Sequence, residues 1–296
     1  MEGRMKFAFY LGCTVESEQY AYEISAREVF PKLGVQLIDV EGFSCCGYPI
    51  KNVSVPAWLY LSARNLALAE KLGLDVLPLC NGCNLSFREV NHYLEENPSL
   101  KERIKSLLSF EGLSYTGNTK SWHILEFLRD VVGVEKIQSV VNKPLKGLKL
   151  ATHYGCHAIR PSELRMVDDP EDPHVLEELI EALGAKVDDY PERLDCCGQG
   201  LAMTTGKTAL TIAGLKLKAI QDRGFDAVIT VCPFCMKMLD AKQNAIRATT
   251  QQSDINLPVL YYTQLLGLAM GIEAEKLAIN LNLSPVGEIL KKLEGK

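Results

Sequence analysis

The cysteines of this chain form two matched sets, and this repetition constrains the fold more than any other feature of the sequence. In each set, a lone cysteine after glycine is followed by an adjacent pair before glycine and then by a C-x2-C motif. The first set is Cys13, Cys45, Cys46, Cys80 and Cys83, and the second is Cys156, Cys196, Cys197, Cys232 and Cys235. The final motif begins 34 residues after the pair in the first set (46 to 80) and 35 in the second (197 to 232). We therefore expect two sequential halves of similar structure.

The segments between the cysteines repeat as well. Apolar stretches typical of strands alternate with helical periodicity, and each cysteine motif lies at or shortly after the end of a predicted strand. The predicted strands are 6–10, 35–40 and 75–79 in the first half and 148–153, 185–188 and 226–231 in the second. The predicted helices include 57–72, 121–132, 174–183, 207–223 and the longest apolar stretch, 257–272.

This alternation predicts an α/β fold of two pseudo-symmetric β-α-β-α-β domains, residues 1–145 and 146–296, each with a parallel sheet. Ligands of such sheets bind beyond the carboxyl ends of the strands. Because the cysteine motifs follow those ends, we expect the five cysteines of each half to gather at one site.

The charge and the apolar segments of the sequence limit which partners and which cellular compartment we expect. With 32 basic and 37 acidic residues and no polybasic run, the chain lacks the charge pattern of a nucleic-acid-binding protein. Residues 1–6 lead directly into a predicted strand without the pattern of an export signal, so we expect a cytoplasmic protein. The apolar stretch 257–272 is shorter than the ~20 residues that a membrane span needs, so we expect a buried helix and no transmembrane segment.

Several kinds of site use cysteine, and they differ in how many of the thiols they explain. Disulfides are disfavoured in a reducing compartment, and buried free cysteines explain one or two thiols but not two matched sets. A zinc ion suits a C-x2-C motif, but its four ligands leave one cysteine over in each half. A thioredoxin-like dithiol needs only the C-x2-C motif. A multi-iron cluster can use all five thiolates, because adjacent thiolates can bind different irons or bridge two. The composition does not name the type of cluster.

Two histidines flank the lone cysteine of the second set. His153 and His157 lie on either side of Cys156 and are candidate proton donors to departing thiolates; a structural role is the alternative. The remaining histidines lie on predicted helices or loops away from the cysteines, where we expect solvated side chains: His92, His123 and His174.

With these motifs the chain resembles the B subunit of heterodisulfide reductase, a protein built from two CCG domains. The matching segments extend over nearly the whole chain: 10–13, 44–47, 80–83, 154–157, 195–198 and 232–235. The resemblance implies that each set of five cysteines holds a non-cubane [4Fe-4S] cluster and that a disulfide substrate binds between the two clusters. It also implies two partner proteins, a C-type subunit with cubane [4Fe-4S] clusters and an A-type subunit with FAD.

The implied activity is reduction of a disulfide such as the CoM-S-S-CoB heterodisulfide, or formation of a disulfide in reverse. A disulfide couple moves two electrons and a cluster usually moves one, so two facing clusters match this chemistry. The sequence has neither a ferredoxin-type cysteine run nor a G-x-G-x-x-G loop after a strand, so electrons must come from partners. A second hypothesis is an electron-relay subunit of a lactate, glycolate or succinate dehydrogenase-type complex that passes electrons to quinone.

Overall fold

Two parallel β-sheets, one in each half of the chain, form the framework of the fold. The structure is a computed structural model that describes residues 5–164 and 167–294. The strands are β1 (Met5–Tyr10), β2 (Val35–Asp39), β3 (Val76–Pro78), β4 (Lys149–His153), β5 (Lys186–Val187), β6 (Ala227–Thr230) and β7 (Val259–Tyr261). The first sheet has the order β2-β1-β3 and the second β5-β4-β6-β7, and every pairing is parallel. The α/β class and the parallel sheets are therefore confirmed.

Strand β1 of the first sheet and strand β4 of the second sheet are interior strands and are buried along most of their length. In β1, the last four residues are buried, and the strand pairs with β2 from Met5–Val35 to Phe9–Asp39. In β4, the last four residues are buried as well, and the strand pairs with both β5 and β6. Burial of consecutive residues is typical of strands inside parallel sheets that carry helices on both faces.

Helices connect and cover the strands in the same order in both halves. Those of the first half are α1 (Gly12–Glu18), α2 (Tyr20–Val29), α3 (Val55–Lys71), α4 (Asn81–Glu96), α5 (Pro98–Ser109), α6 (Ile124–Glu126) and α7 (Val134–Ser139). Those of the second half are α8 (Cys156–Ile159), α9 (Val175–Glu181), α10 (Gly206–Asp222), α11 (Pro233–Leu239), α12 (Gln243–Thr250), α13 (Tyr262–Ala269) and α14 (Gly287–Leu293). Among the described residues, no helix has both the length and the apolar character needed to cross a bilayer.

The repeat extends further along the chain than the sequence predicted. The prediction of one helix over 257–272 was wrong at its start, because Val259–Tyr261 forms β7 and α13 begins only at Tyr262. The side chain of Gln264 accepts a hydrogen bond from the backbone N–H of Tyr261 and so marks the start of that helix. In the first half, Ser121 likewise bridges to Val76 in parallel before α6 begins. A short apolar strand that leads directly into an apolar helix has no periodicity of its own, which explains the error.

The larger of two hydrophobic core clusters contains residues of both halves. Helix α2 of the first half packs on α13 of the second, and Tyr22 stacks on Tyr261 with ring centroids 4.0 Å apart. The hydroxyl of Tyr22 donates a 2.9 Å hydrogen bond to the carbonyl of Val231. The hydroxyls of Ser25 and Thr263 lie 2.7 Å apart. The sequence repeats proposed as domains 1–145 and 146–296 are therefore packed tightly against each other.

Candidate metal centres

All ten cysteines are free, and each cysteine motif follows the carboxyl end of a strand, the pairs after a longer loop than the other motifs. Cys13 follows β1 and Cys156 follows β4, each after a glycine with positive φ. Cys80 and Cys232 immediately precede α4 and α11, each two residues after a strand. The predicted placement of the cysteine motifs relative to the strands is confirmed.

The five thiols of the first half form one connected group, which we call the first cysteine group. The thiol of Cys45 interacts with those of Cys13 and Cys46, and the thiol of Cys83 interacts with those of Cys46 and Cys80. The adjacent pair reaches this arrangement because the chain turns at Gly47, whose N–H donates to the Cys45 sulfur at 3.4 Å. Cys13 is exposed at one end of the group, whereas Cys80 is buried at the other.

The five thiols of the second half repeat this arrangement as the second cysteine group. The thiol of Cys196 interacts with those of Cys156 and Cys197, and the thiol of Cys235 interacts with those of Cys197 and Cys232. Gly198 again donates its N–H to the sulfur two residues before it, at 3.3 Å. The same local sequence thus produces the same thiol arrangement twice.

The two groups meet at their buried ends. The thiol of Cys80 interacts with that of Cys232, one from each half. The side-chain amide of Asn81 donates a 2.7 Å hydrogen bond to the carbonyl of Tyr154 and ties the halves together at this point. A small cavity beside the contact is lined by residues of both halves, among them Cys13, Cys46, Tyr48, Cys80, Cys83 and Phe234.

The thiols perturb one another strongly. Hydrogen bonds to its two thiol neighbours, together with burial, raise the pKa of Cys83, and the same causes act on Cys235. The hydrogen bond to Cys45, followed by burial, raises the pKa of Cys13. By contrast, Cys196 accepts from two neighbours, which places the pKa of its thiol far below the ordinary value. Five thiols this close can all ionise only if a bound cation compensates their charge, so the donor set suits a metal centre.

Two glycines leave room beside the sulfurs. A Cβ atom on Gly12 would lie 2.9 Å from the Cys83 sulfur. On Gly155 it would lie 2.9 Å from Nδ2 of Asn81 and 3.1 Å from the Cys235 sulfur. Both residues also have positive φ, +72° and +77°, which side chains rarely tolerate. The backbone therefore approaches each cysteine group as closely as only glycine allows.

The two histidines expected near Cys156 occupy different environments. His153 is buried, and within residues 5–164 and 167–294 neither of its ring nitrogens has a hydrogen-bond partner. One of these nitrogens lies within 4.8 Å of the sulfurs of Cys197 and Cys235. His157 is half-buried, and its Nε2 lies 2.9 Å from the hydroxyl of Tyr48 in the first half. Burial lowers the pKa of both imidazoles. Unpaired buried nitrogens beside thiols make the second cysteine group suited to hold a further species, and His153, Cys197 and Cys235 together could ligate a metal ion.

The prediction that His123 is solvated was wrong. His123 is 1% exposed and lies beside the first cysteine group, where its Nε2 pairs with Oδ1 of Asn81 at 2.9 Å. Its Nδ1 accepts the N–H of Leu125, which leaves the proton on Nε2, and burial lowers its pKa to about 3. The parallel bridge between Ser121 and Val76 brings it there. His92 and His174 are exposed, as predicted.

Two tandem copies of one cysteine-rich unit therefore define the class of protein. The family model described as "Cysteine-rich domain" (CCG) matches residues 7–88 and 150–240. The chain is 38% identical over 292 residues to the B subunit of the ferredoxin/F420H2-dependent CoB-CoM heterodisulfide reductase of Methanosarcina acetivorans, an alignment that covers 97% of each chain. The chain belongs to the family of heterodisulfide reductase B subunits, an iron–sulfur oxidoreductase family.

The chain is also similar to a second relative in sequence and to a solved structure in fold. The chain is 34% identical over 279 residues to the 8-methylmenaquinol:fumarate reductase membrane anchor subunit of Wolinella succinogenes, covering 94% of this chain and 96% of that one. The fold matches the crystal structure of a hypothetical protein from Helicobacter pylori with a TM-score of 0.77 at 17% identity. That match covers 95% of this chain and 52% of the solved chain, so the chain spans about half of it.

Proposed function

We propose that this chain is the catalytic subunit of a heterodisulfide reductase-like complex, in which it reduces a disulfide or forms one in the reverse direction. The observation that carries the proposal is the contact between the two cysteine groups at Cys80 and Cys232. Because the groups are adjacent, one small molecule can contact both. Similarity to one subunit of a CoB-CoM heterodisulfide reductase supports the CoM-S-S-CoB heterodisulfide, or a related disulfide, as substrate.

We propose that each cysteine group holds one non-cubane [4Fe-4S] cluster. When bound, the two clusters supply the two electrons that cleavage of a disulfide consumes, one from each. The protein contributes the geometry: Asn81 and the Cys80–Cys232 contact keep the groups adjacent, and Gly12 and Gly155 let the backbone approach the sulfurs. The fit of the donor sets supports this assignment, since five thiols in each half converge and none forms a disulfide.

Reduction of a disulfide to two thiols also takes up two protons. We propose His157 as a proton donor, because it bridges to Tyr48 of the first half and lies beside Gly82, at the junction of the two groups. We propose His153 as the second candidate. Its buried position behind Cys197 and Cys235 is less open to a substrate than that of His157.

Partner proteins must supply the electrons. We propose that a protein similar to the C-type subunit, with cubane [4Fe-4S] clusters, is the direct electron donor. A protein similar to the A-type subunit, with FAD, would supply electrons to that donor. Relatives that are named as subunits of larger reductases support an assembly of this kind. Ten free thiols suit a reducing compartment, so we propose that the complex works in the cytoplasm.

A second candidate is an electron-relay subunit that passes electrons between a dehydrogenase or reductase and a quinone. The similarity to one subunit of a menaquinol:fumarate reductase favours it specifically. A relay would use the same two cysteine groups without binding a disulfide between them.

Anaerobically purified protein, assayed with a reduced viologen dye, separates the two candidates. We expect about eight irons per chain and oxidation of the dye that depends on CoM-S-S-CoB or another small disulfide. His157→Gln should lower this turnover at least tenfold, whereas His92→Gln, at an exposed histidine, should not change it. Iron-loaded protein that reduces a quinone but no disulfide would support the relay instead. Protein that contains zinc and no iron would contradict both candidates.

A further inference from the structure

The two halves place different residues at equivalent positions behind their cysteine pairs. Helices α3 and α10 each have 17 residues and begin nine residues after the second cysteine of the pair, from 46 to 55 and from 197 to 206. Asn65 of α3 and Lys216 of α10 therefore correspond, since each lies 19 residues after that cysteine (46 to 65 and 197 to 216). Both side chains are fully or almost fully buried.

Asn65 holds the backbone of the first cysteine pair with a neutral amide. Its Oδ1 accepts the N–H of Ser44 at 2.9 Å, and its Nδ2 donates to the carbonyls of Ser44 and Cys45 at 3.1 and 3.3 Å. The segment that leads into the first cysteine pair is thus fixed without adding a charge.

Lys216 holds the equivalent segment of the second half with an ammonium. Its Nζ donates to the carbonyls of Glu192, Arg193 and Asp195, the last of which immediately precedes Cys196. Among the described residues, no carboxylate forms an ion pair with this ammonium. Burial lowers the pKa of Lys216 to about 8, opposed by Asp195 and by the second cysteine group, so the side chain is mainly charged at neutral pH.

A second pair of equivalent residues also differs between the two halves. Tyr10 and His153 each precede the lone cysteine by three residues (10 to 13 and 153 to 156). The hydroxyl of Tyr10 donates to the carbonyl of Ser44, whereas His153, beside the second cysteine group, has no hydrogen-bond partner in the part of the chain that the structure describes. Lys51, near the first pair, is neutralised by Glu89 at 2.7 Å. Among the described residues, the buried ammonium of Lys216, which has no carboxylate partner, distinguishes the second group from the first.

We propose that Lys216 gives the iron–sulfur centre of the second half the higher reduction potential, so that the first electron from a one-electron iron–sulfur donor rests there. The donor loses one electron and the second centre gains it. A fixed positive charge in a low-dielectric interior favours the form of a metal centre that carries the additional negative charge. This inference rests on the proposed pair of iron–sulfur centres and assigns the order in which the two centres accept electrons. Lys216 acts through its charge and is a positioning residue rather than a catalytic one.

The test is a redox titration of the full chain, loaded with iron and followed by electron paramagnetic resonance. Cys45→Ser provides a background in which only the second centre remains, so that its signal can be assigned. In that background, Lys216→Asn, which copies the residue of the first half, should shift the midpoint potential to more negative values. Lys216→Arg, which keeps the charge, should restore the original potential. Lys218→Asn is the matched control, because it removes a lysine paired with Asp222 and Asp254 on the same helix.

Each outcome decides the proposal. An unchanged potential in Lys216→Asn, or an equal shift in Lys218→Asn, overturns it. Loss of iron from the second centre in Lys216→Asn also overturns it, because the lysine would then act only as a structural anchor for its loop. Normal disulfide turnover together with equal potentials for the two wild-type centres contradicts this inference alone, whereas wild-type protein without iron contradicts the proposed function itself.

Discussion

The side-chain amide of Asn81 donates a 2.7 Å hydrogen bond to the carbonyl of Tyr154, so a residue between two cysteines of one half holds the end of a strand in the other. The same amide accepts from His123 through its oxygen. Asn81 therefore satisfies a donor and an acceptor that are both buried, at the place where the two cysteine groups meet. We therefore expect a change at Asn81 to affect both the stability of the contact between the halves and the proposed reaction.

Replacing Asn81 by aspartate should weaken this junction. The carboxylate can still accept from His123, but it cannot donate to Tyr154, and two oxygens then face each other in a buried site. We expect a loss of about 1–3 kcal/mol in the free energy of unfolding, measured by urea denaturation without oxygen, and a loss of disulfide turnover.

Asn91→Asp is the matched control. Asn91 also donates to a carbonyl, that of Thr119, and accepts from a side chain, that of Tyr115, but both partners lie in the first half. A comparable loss of stability with turnover retained is the expected result. If both variants lose turnover equally, the effect comes from stability and not from the junction.

Gly155→Ala should remove the second metal centre. The new Cβ would lie 2.9 Å from Asn81 and 3.1 Å from the Cys235 sulfur, at a φ of +77° that costs about 1–3 kcal/mol for a side chain. Gly200→Ala is the control, because a Cβ there meets no atom within 4 Å. We expect the iron content to fall by about half in the first variant and to stay unchanged in the second. Full iron loading of Gly155→Ala would argue against close approach of the backbone to a bound group.

The two cysteine groups should lose their iron independently. Cys45→Ser should abolish the first centre and spare the second, and Cys196→Ser should do the reverse. The thiol neighbours of Cys45 and of Cys196 belong to their own groups, unlike the pair Cys80 and Cys232. Iron analysis and the spectra of the reduced variants measure this. Loss of both centres in either variant would indicate that the groups assemble together.

Acid should destabilise the folded chain in part through His123. Burial lowers the pKa of His123 to about 3 in the folded state, against about 6.5 when unfolded. The neutral ring favours folding, so this contribution is complete above pH 6.5 and is lost as the pH falls toward 3. From pH 7 to pH 5 the loss is about 2 kcal/mol.

Urea denaturation of wild type and of His123→Asn at these two pH values isolates this contribution. The variant should lose about 2 kcal/mol less than the wild type over this interval. His92→Asn, at an exposed histidine, should behave as the wild type does. Identical pH dependence in wild type and His123→Asn would rule out a buried neutral imidazole at this position.

The sequence by itself determined the repeat, the α/β class and the cysteine positions at the strand ends. These features depend on local patterns: β1 and β4 each end just before a glycine and a cysteine, and the pairs at Cys45 and Cys196 each precede a glycine. A local pattern acts through nearby backbone geometry, so it can be recognised without knowledge of distant contacts.

Only the tertiary structure decided which side chains surround the cysteines. The contact of Cys80 with Cys232, the burial of His123 beside Asn81 and the role of Lys216 each join residues from separate segments of the chain. No periodicity marks them, because a buried lysine or histidine differs from a solvated one only in what packs against it. How the halves pack against each other, rather than the motif in either half, sets the environment in which the proposed chemistry takes place.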